Sequence, residues 1–265
     1  MRCALTIAGS DSSGGAGIQA DIKTMSALGV YAESVITALT AQNTLGVQGV
    51  EPISPDFVRA QIDSVFTDIR PGAVKIGMLA NAQIVHAVAA GLKAHGAHNI
   101  VVDPVMVATS GDALTEDSSV AALDELLGIA TLATPNIPEA EVLSGMQIHC
   151  KEDMATAAKH ICTSKACPAV LMKGGHLDKA ADDVLVTASG EEIWFSHERI
   201  ATENTHGTGC TLSSAIASYL ALGEKLPDAI KLAKEYLTGA LANDPHLGHG
   251  HGPVNHLWMM SRTQC

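Results

Sequence analysis

Short apolar runs rich in β-branched residues alternate along the chain with segments whose apolar residues recur at helical spacing. The first run, 4–8, predicts a buried strand, and the apolar positions from Ile18 to Leu28 predict a helix with Gly29 as a suitable C-cap. The same patterns predict strands at 35–39, 74–79, 100–102, 130–133 and 169–172, helices at 58–69, 82–95, about 118–127, about 154–164, 210–222 and 228–242, and a hairpin of 183–187 with 192–195.

Strands separated by helices predict an α/β fold, with a central, mostly parallel sheet flanked by helices on both faces. No linker, low-complexity segment or repeat interrupts the pattern, so we expect a single domain over 1–265. Ligands of such sheets bind beyond the carboxyl ends of the strands. The residues there are polar or glycine-rich and should converge: 9–11, 42–44, 77–78, 103–104, 134–136 and 173–175.

The composition excludes some classes of binding partner and indicates the cellular compartment. The formal net charge of −12 argues against a nucleic acid or an anionic membrane, because both need a clustered basic surface. Six cysteines without a C-x-x-C pair favour a reducing compartment. The N-terminal apolar run is too short for a signal peptide, and no stretch approaches the ~18 apolar residues of a membrane span. We therefore expect a soluble, cytoplasmic protein.

The segment 204–211 carries the strongest chemical signal, because it places two glycines around a threonine at a predicted helix N-terminus. The backbone amides of Gly207, Thr208 and Gly209 are then able to bind an anion, and the helix dipole adds to the attraction. The same dipole predicts a pKa below ~8.5 for Cys210 in the first turn, which makes it a candidate base. The alternative is an ordinary glycine-rich turn with a buried cysteine.

Other segments admit two interpretations each. The loop 9–17 matches neither G-x-G-x-x-G nor a Walker A motif, so it is either a ligand loop or a flexible turn, and Asp21 after it is either functional or a solvated carboxylate. Asn136 and Glu139 suit either a hydrated Mg²⁺ near phosphates or the N-cap of a helix.

Three further signals are weak when taken alone. Lys173, followed by two glycines, suits a phosphate, but a lone lysine is more often just a surface residue. Gln42 presents a donor and an acceptor side by side, as an aminopyrimidine requires. The histidines of 248–253 lack cysteine or carboxylate partners, so a structured glycine turn is favoured over a metal site.

These motifs occur together in one order, which resembles the ribokinase superfamily and, within it, the hydroxymethylpyrimidine (phosphate) kinase family of thiamin biosynthesis. The resemblance runs from Leu5 to about His256. The matching segments are 6–21, 40–44, 75–79, 102–106, 134–136, 173–176 and the Cys210 segment.

The resemblance implies a ribokinase-like fold, a homodimer, and ATP with Mg²⁺ as cofactors. It implies successive phosphorylation of 4-amino-5-hydroxymethyl-2-methylpyrimidine to its monophosphate and diphosphate. On the same basis Gln42 binds the pyrimidine, with Gly9, Asp21 and Met78 nearby.

The phosphate side of the site is implied in the same way. Cys210 stands where most relatives carry an aspartate base, next to the amides of 207–209. Lys173, Asn136 and Asp103 correspond to contacts with the ATP phosphates, and Glu139 to a water-mediated contact with Mg²⁺.

Two alternatives remain open at this stage. A pyridoxine or pyridoxal kinase belongs to the same superfamily and phosphorylates a similar hydroxymethyl group, although Gln42 favours an aminopyrimidine. A non-catalytic module that binds the pyrimidine phosphate is the other, although such modules usually accompany a second domain. A dinucleotide dehydrogenase is disfavoured, because the G-x-G-x-x-G spacing is missing.

Overall fold

The computed structural model describes residues 1–106, 117–175, 182–196 and 199–261. The strands within them are Cys3–Asp11 (β1), Tyr31–Asn43 (β2), Gly46–Pro52 (β3), Ala73–Ile76 (β4), Ile100–Val102 (β5), Leu132–Ala133 (β6), Ala169–Met172 (β7), Asp183–Thr187 (β8) and Glu192–Phe195 (β9). The helices are Gly17–Ala27 (α1), Pro55–Asp68 (α2), Ala82–Ala94 (α3), Asp117–Leu127 (α4), Ile137–Ser144 (α5), Lys151–Ser164 (α6), Thr208–Leu222 (α7), Leu226–Ala242 (α8) and Trp258–Ser261 (α9).

All these strands join in one sheet with the order β3-β2-β1-β4-β5-β6-β7-β8-β9. The six strands from β2 to β7 in that order are parallel, whereas β3, β8 and β9 each pair antiparallel with their inner neighbour. The chain goes from β1 to one side first and later to β4 on the other side. The strand order thus reverses at β1, and in such sheets a binding crevice opens at this point.

Helices cover both faces of the sheet, which confirms the predicted fold class. Val58 of α2, Ile84 of α3 and Ile161 of α6 pack with Leu5 and Ile7 on one face. On the other face Met25 of α1, Ile216 of α7 and Ile230 of α8 pack with Ala4, Val101 and Leu171. Neither face of the central strands is left to solvent, so these strands read as continuous apolar runs in the sequence.

Most of the predicted elements are present, with shifted ends. β2 extends well beyond the predicted 35–39, and β4 ends at Ile76 rather than at 79. The polar residues 9–11 and 42–43 are therefore the last residues of strands rather than loop residues. The sequence pattern missed β3, α5 and α9, because β3 is almost wholly exposed and the two helices are short. None of the described helices is long and apolar enough to cross a bilayer.

Candidate functional site

The period of two along the strands places a row of polar side chains on the face covered by α1, α7 and α8. Ala73, Val101 and Leu171 pack on this face, and the residues two positions further along are Lys75, Asp103 and Lys173. Thr134 extends β6 in the same way, two residues after the buried Leu132. Because parallel strands end at one edge, these side chains gather under the start of α7.

One end of this row is a fully buried ion pair. Lys75 Nζ lies 2.8 Å from Asp21 Oδ2, and neither side chain has any exposed surface. Thr6 Oγ1 donates to the same Asp21 oxygen at 2.6 Å, whereas Asp21 Oδ1 is buried and has no hydrogen-bond partner. Asp21 is thus no solvated carboxylate, and the alternative considered from the sequence was wrong.

A second ion pair lies further along the row. Lys173 Nζ lies 2.8 Å from Asp103 Oδ1 and 4.0 Å from Glu139 Oε2. Thr134 Oγ1 donates to Asp103 Oδ1 at 3.1 Å, and Ser213 Oγ of α7 is 3.4 Å from Asp103 Oδ2. Two lysines and two aspartates therefore lie in pairs near the start of α7.

Burial and these pairs set the ionisation of the cluster. Burial disfavours the charged form of Asp103, but Lys173 and Lys75 outweigh it and hold its pKa below the ordinary value. Burial also works against the charge of Lys75, yet Asp21, Cys210 and Asp103 raise its pKa above the usual range. Both groups are therefore charged at neutral pH. Burial raises the pKa of Glu139 to about 7, although Lys173 lowers it in part.

The turn before α7 exposes backbone amides toward this cluster. Gly207 adopts φ +84°, and the amides of Thr208 and Thr211 donate to the carbonyls of Thr205 and Gly207. The amides of Gly209 and Cys210 have no acceptor among the described residues. A Cβ on Gly209 would lie 3.6 Å from Lys173 Nζ and 3.3 Å from Asp103 Oδ2, so the free amides stand beside the lysine. An anion bound here meets two N–H groups, a helix N-terminus and an ammonium group.

The expectation of a low pKa for Cys210 was wrong. Burial raises the pKa of its thiol to about 11, and Lys75 lowers it only in part because Asp21 and Asp103 raise it again. The amide of Gly17 also contacts the sulfur. The thiol is therefore protonated at neutral pH. The helix dipole is visible in the sequence, but burial and two carboxylates from distant segments are not.

Asn136 and Glu139 form the helix cap that was one of their two interpretations. Asn136 Oδ1 accepts from the Glu139 amide at 2.9 Å, and Glu139 Oε2 accepts from the Asn136 amide at 2.8 Å. This capping box starts α5 and aims the Glu139 carboxylate toward Lys173. The cap does not exclude a phosphate-side role, which stays a prediction.

The residues assigned to the acceptor substrate lie around the ends of β1, β2 and β4. A Cβ on Gly9 would lie 2.9 Å from Met78 Cε, so Met78 packs directly on this glycine. Gln42 is half-buried, its backbone pairs with Ser12 of the glycine loop, and its Oε1 accepts from Thr40 Oγ1 at 3.1 Å. Their assignment to the pyrimidine stays a prediction.

The C-terminal glycine segment closes this side of the site. The amides of His249 and Gly250 donate to Thr44 Oγ1, just after β2, at 3.2 and 3.3 Å. Gly248 has φ +88° and a Cβ there would lie 2.5 Å from the Thr44 side chain. The prediction of a structured glycine turn is confirmed. His176, the last residue of the 173–176 motif, lies outside the described residues.

Three residues of the cluster were missed as site residues: Lys75, Asp11 and His206. Lys75 had a signal, because a single lysine inside a short buried strand requires a buried partner. Asp11 and His206 lie in the segments 9–11 and 204–211 that the sequence selected, but their pairing had no signal, since a contact over 195 residues leaves no local pattern.

The chain matches one family model and several known proteins over most of its length. The family model described as phosphomethylpyrimidine kinase matches residues 11–255. The hydroxymethylpyrimidine/phosphomethylpyrimidine kinase of Escherichia coli is 52% identical over 258 residues, which cover 96% of each chain. A thiamine biosynthesis bifunctional protein of Geobacter sulfurreducens is 51% identical, and the chain spans 52% of its length. The Bacillus subtilis pyridoxal kinase solved as an ADP complex is 38% identical, with a TM-score of 0.89 over 98% of this chain and 99% of that chain.

Proposed function

From the premise that this chain belongs to the phosphomethylpyrimidine kinase family, we propose that it transfers phosphoryl groups from ATP to a hydroxymethylpyrimidine. The acceptor is 4-amino-5-hydroxymethyl-2-methylpyrimidine, which is converted to its monophosphate and then to its diphosphate for thiamin biosynthesis.

The observation that carries this proposal is the free amide pair of Gly209 and Cys210 beside Lys173. A phosphoryl group in transfer spreads negative charge over its oxygens, and catalysis consists mainly of positioning and neutralising that charge. Oriented amides and a buried ammonium meet this need without reorganising during the reaction. Gly17 supports a link to the predicted acceptor side, because its amide contacts the Cys210 sulfur and a Cβ on it would lie 2.3 Å from the Gly9 carbonyl oxygen.

Cys210 acts in this proposal through its backbone and its volume rather than as a thiolate. A thiol whose pKa is about 11 is almost entirely protonated at pH 7.5. A loose transition state needs little help from a base, because the acceptor proton is lost late. The role as a strong base that the aspartate comparison suggested is therefore replaced by positioning of the acceptor hydroxyl.

The phosphate side fits a nucleotide with a hydrated cation. The carboxylates of Asp103 and Glu139 lie 2.8 and 4.0 Å from Lys173 Nζ, and no group of three ligating side chains occurs among the described residues. This matches the way Mg²⁺ binds at nucleotide sites, with one or two carboxylates, several waters and the phosphates as ligands. When bound, the ion would neutralise phosphate charge, and Asn136 would hold Glu139 in place through the capping box.

A mass-spectrometric assay tests the function directly. The protein is incubated with ATP, Mg²⁺ and the hydroxymethylpyrimidine, and we expect the monophosphate to form first and the diphosphate later. Lys173→Met serves as the matched negative control, because it keeps the side-chain length and removes the charge beside the free amides. ADP formation that is independent of the pyrimidine, with neither product, would contradict the proposal.

A second candidate is pyridoxal phosphorylation, because pyridoxal kinases such as that of Bacillus subtilis superimpose over nearly the whole chain. Turnover of pyridoxal in the same assay tests it. The half-buried Gln42, able to pair with a ring nitrogen and an amino group, supports the aminopyrimidine as the better substrate. Gln42→Leu should reduce turnover of the pyrimidine more than that of pyridoxal.

The domain count, the oligomeric state and the cellular location are also part of this proposal. We propose one domain, a homodimer and a cytoplasmic location. The exposed edge strand β3 supports the dimer, because this edge of the sheet carries exposed apolar side chains: Val50 of β3, Leu39 of β2 and Leu45 between the two strands. Free cysteines in the described part of the chain support a reducing compartment. Light scattering at micromolar concentration tests the dimer.

A further inference from the structure

Two segments that frame the proposed site are joined by a buried pair of side chains. Asp11 ends β1 in the glycine loop 9–17, and His206 precedes the turn that starts α7. His206 Nε2 lies 2.8 Å from Asp11 Oδ2, and the two side chains are 7% and 2% exposed. The contact spans 195 residues of sequence and joins the glycine loop, which bonds to Gln42 through Ser12, to the segment that precedes α7.

Asp11 also determines the shape of the glycine loop. Its carboxylate accepts from the Ser13 amide and hydroxyl and from the amides of Gly15 and Ala16, at 2.8 to 3.0 Å. Ala16 and Gly17 then lead directly into α1, where the Gly17 amide contacts the Cys210 sulfur. One carboxylate therefore holds the loop closed and receives the His206 ring.

His206 is fixed from its other side by the C-terminal segment. Its amide donates to the Gly252 carbonyl at 3.1 Å, and its carbonyl accepts from the Val254 amide at 3.3 Å. These bonds hold the His206 backbone, and burial of the side chain, which is 7% exposed, keeps the ring on Asp11. Any shift of the glycine loop must move His206 and the turn that follows it.

Packing between the two segments leaves no room for side chains. A Cβ on Gly15 would lie 2.3 Å from His206 Cδ2, and a Cβ on Gly207 would lie 1.9 Å from the Gly15 carbonyl oxygen. Both distances are far below van der Waals contact. Two glycines thus let the loop and the turn touch through backbone atoms, and the Asp11–His206 pair sets their separation.

We propose that Asp11 and His206 are a positioning pair, which holds the free amides of the α7 turn at a fixed distance from the glycine loop 9–17. The inference rests on the proposed function, since it assigns the pair to the alignment of phosphoryl group and hydroxyl. Neither residue has to touch a substrate. Misplacement of a catalytic group by about 1 Å can cost about 10²-fold in rate, so loss of the pair should act on kcat.

The test uses His206→Leu, which removes the donor but keeps the volume, and His206→Gln, whose amide nitrogen can reach Asp11. His95→Leu is the matched control, because His95 Nε2, at the C-cap of α3, makes a similar 2.7 Å contact with Asp63 of α2 in a partly exposed pair. Thermal unfolding, the pyrimidine Kd without ATP, and kcat are measured for each variant.

We expect His206→Leu to lower kcat by about 10- to 100-fold while the pyrimidine Kd changes little, and His206→Gln to recover most of the rate. His95→Leu should keep wild-type kcat. Equal losses in the leucine and glutamine variants, or an unchanged kcat in His206→Leu, would overturn the inference. If His206→Leu does not fold, His206→Asn takes its place, because the shorter asparagine side chain does not reach Asp11. Equal kcat values for the asparagine and glutamine variants would then overturn the inference.

A second readout does not depend on turnover. Alkylation of Cys210 by iodoacetamide, followed on its peptide by mass spectrometry, reports how tightly the turn is held. We expect faster labelling in His206→Leu and an unchanged rate in His95→Leu. Inactive wild-type protein would count against the proposed kinase function alone, whereas equal labelling of wild type and His206→Leu would count against the positioning pair.

Discussion

The buried pair of Lys75 and Asp21 offers a sharp test of how the site is held together. In Lys75→Met the carboxylate of Asp21 stays fully buried, with Thr6 Oγ1 as its remaining donor and with Oδ1 already unpartnered. Removing one partner of a buried pair typically costs about 3–5 kcal/mol, because a charge is left without compensation. We expect a loss of this size in the free energy of unfolding.

Urea denaturation measures this loss, with two companion variants. Lys75→Met combined with Asp21→Asn removes both charges and should regain about 2 kcal/mol of it, since no uncompensated ion remains. Lys165→Met is the control, because Lys165 Nζ lies 2.9 Å from Asp124 Oδ2 in a pair that is 24% and 47% exposed. Breaking this surface pair should cost less than about 1 kcal/mol.

The stability deficit of Lys75→Met should also depend on pH, in a direction that follows from the pKa of Asp21. Burial raises the pKa of Asp21, and Lys75 lowers it, so Lys75→Met should raise it further. A carboxylate whose folded-state pKa lies above its unfolded value destabilises the protein as pH rises through the folded-state value. The deficit of Lys75→Met should therefore shrink as pH is lowered from 8 toward 5. A deficit below about 1 kcal/mol, or a double variant no more stable than the single one, would refute the reasoning.

Three further predictions concern the turn and the glycine loop. Cys210→Ala should lower kcat by less than about 10²-fold, because a general base would account for 10²–10⁴-fold; steady-state kinetics at saturating ATP decide, and a larger loss would restore the base role. Gly207→Ala should lower the melting temperature and activity far more than Gly223→Ala, because both positions have positive φ but only the first meets a backbone atom, Gly15 O, at 1.9 Å; equal effects would contradict the packing argument. Burial disfavours ionised Asp11, yet its hydrogen bonds lower its pKa to about 2. The ionised side chain therefore contributes about 2 kcal/mol of stability above pH 4, which is lost toward pH 2. In acid-denaturation measurements Asp11→Asn should flatten that part of the stability curve, and an unchanged curve would contradict the assignment.

The sheet and its helices were largely predictable because their signals are local. A buried parallel strand is a short apolar run and a surface helix an apolar stripe, so alternation of the two is visible without a structure. β3 escaped because Gly46–Pro52 lies on the edge and buries almost nothing. Helix α5 was not predicted, although a cap at Asn136 was considered, because its eight residues contain too few repeats of the helical apolar pattern.

The position of the candidate site was more predictable from the sequence than the ionisation state of its side chains. Residues at strand ends such as Asp103 and Lys173 were selected from topology and from the family resemblance, and the structure brings them within 2.8 Å of each other. The thiol of Cys210 shows the opposite case. Its position in the first turn of α7 was correct, but the direction of its pKa shift was wrong, because burial outweighs the helix dipole.

The sequence by itself determined the alternation of the buried strands with the longer helices, the edge of the sheet where polar residues meet, and the glycine turn before α7. Periodicity and backbone freedom are properties of neighbouring residues. Only the tertiary structure decided which charges pair, as in Lys75 with Asp21 and Asp11 with His206. Pairing and desolvation depend on distances between segments that lie far apart in the chain. Pairing and desolvation determine whether a side chain at the site is charged, is neutral, or holds the backbone in position.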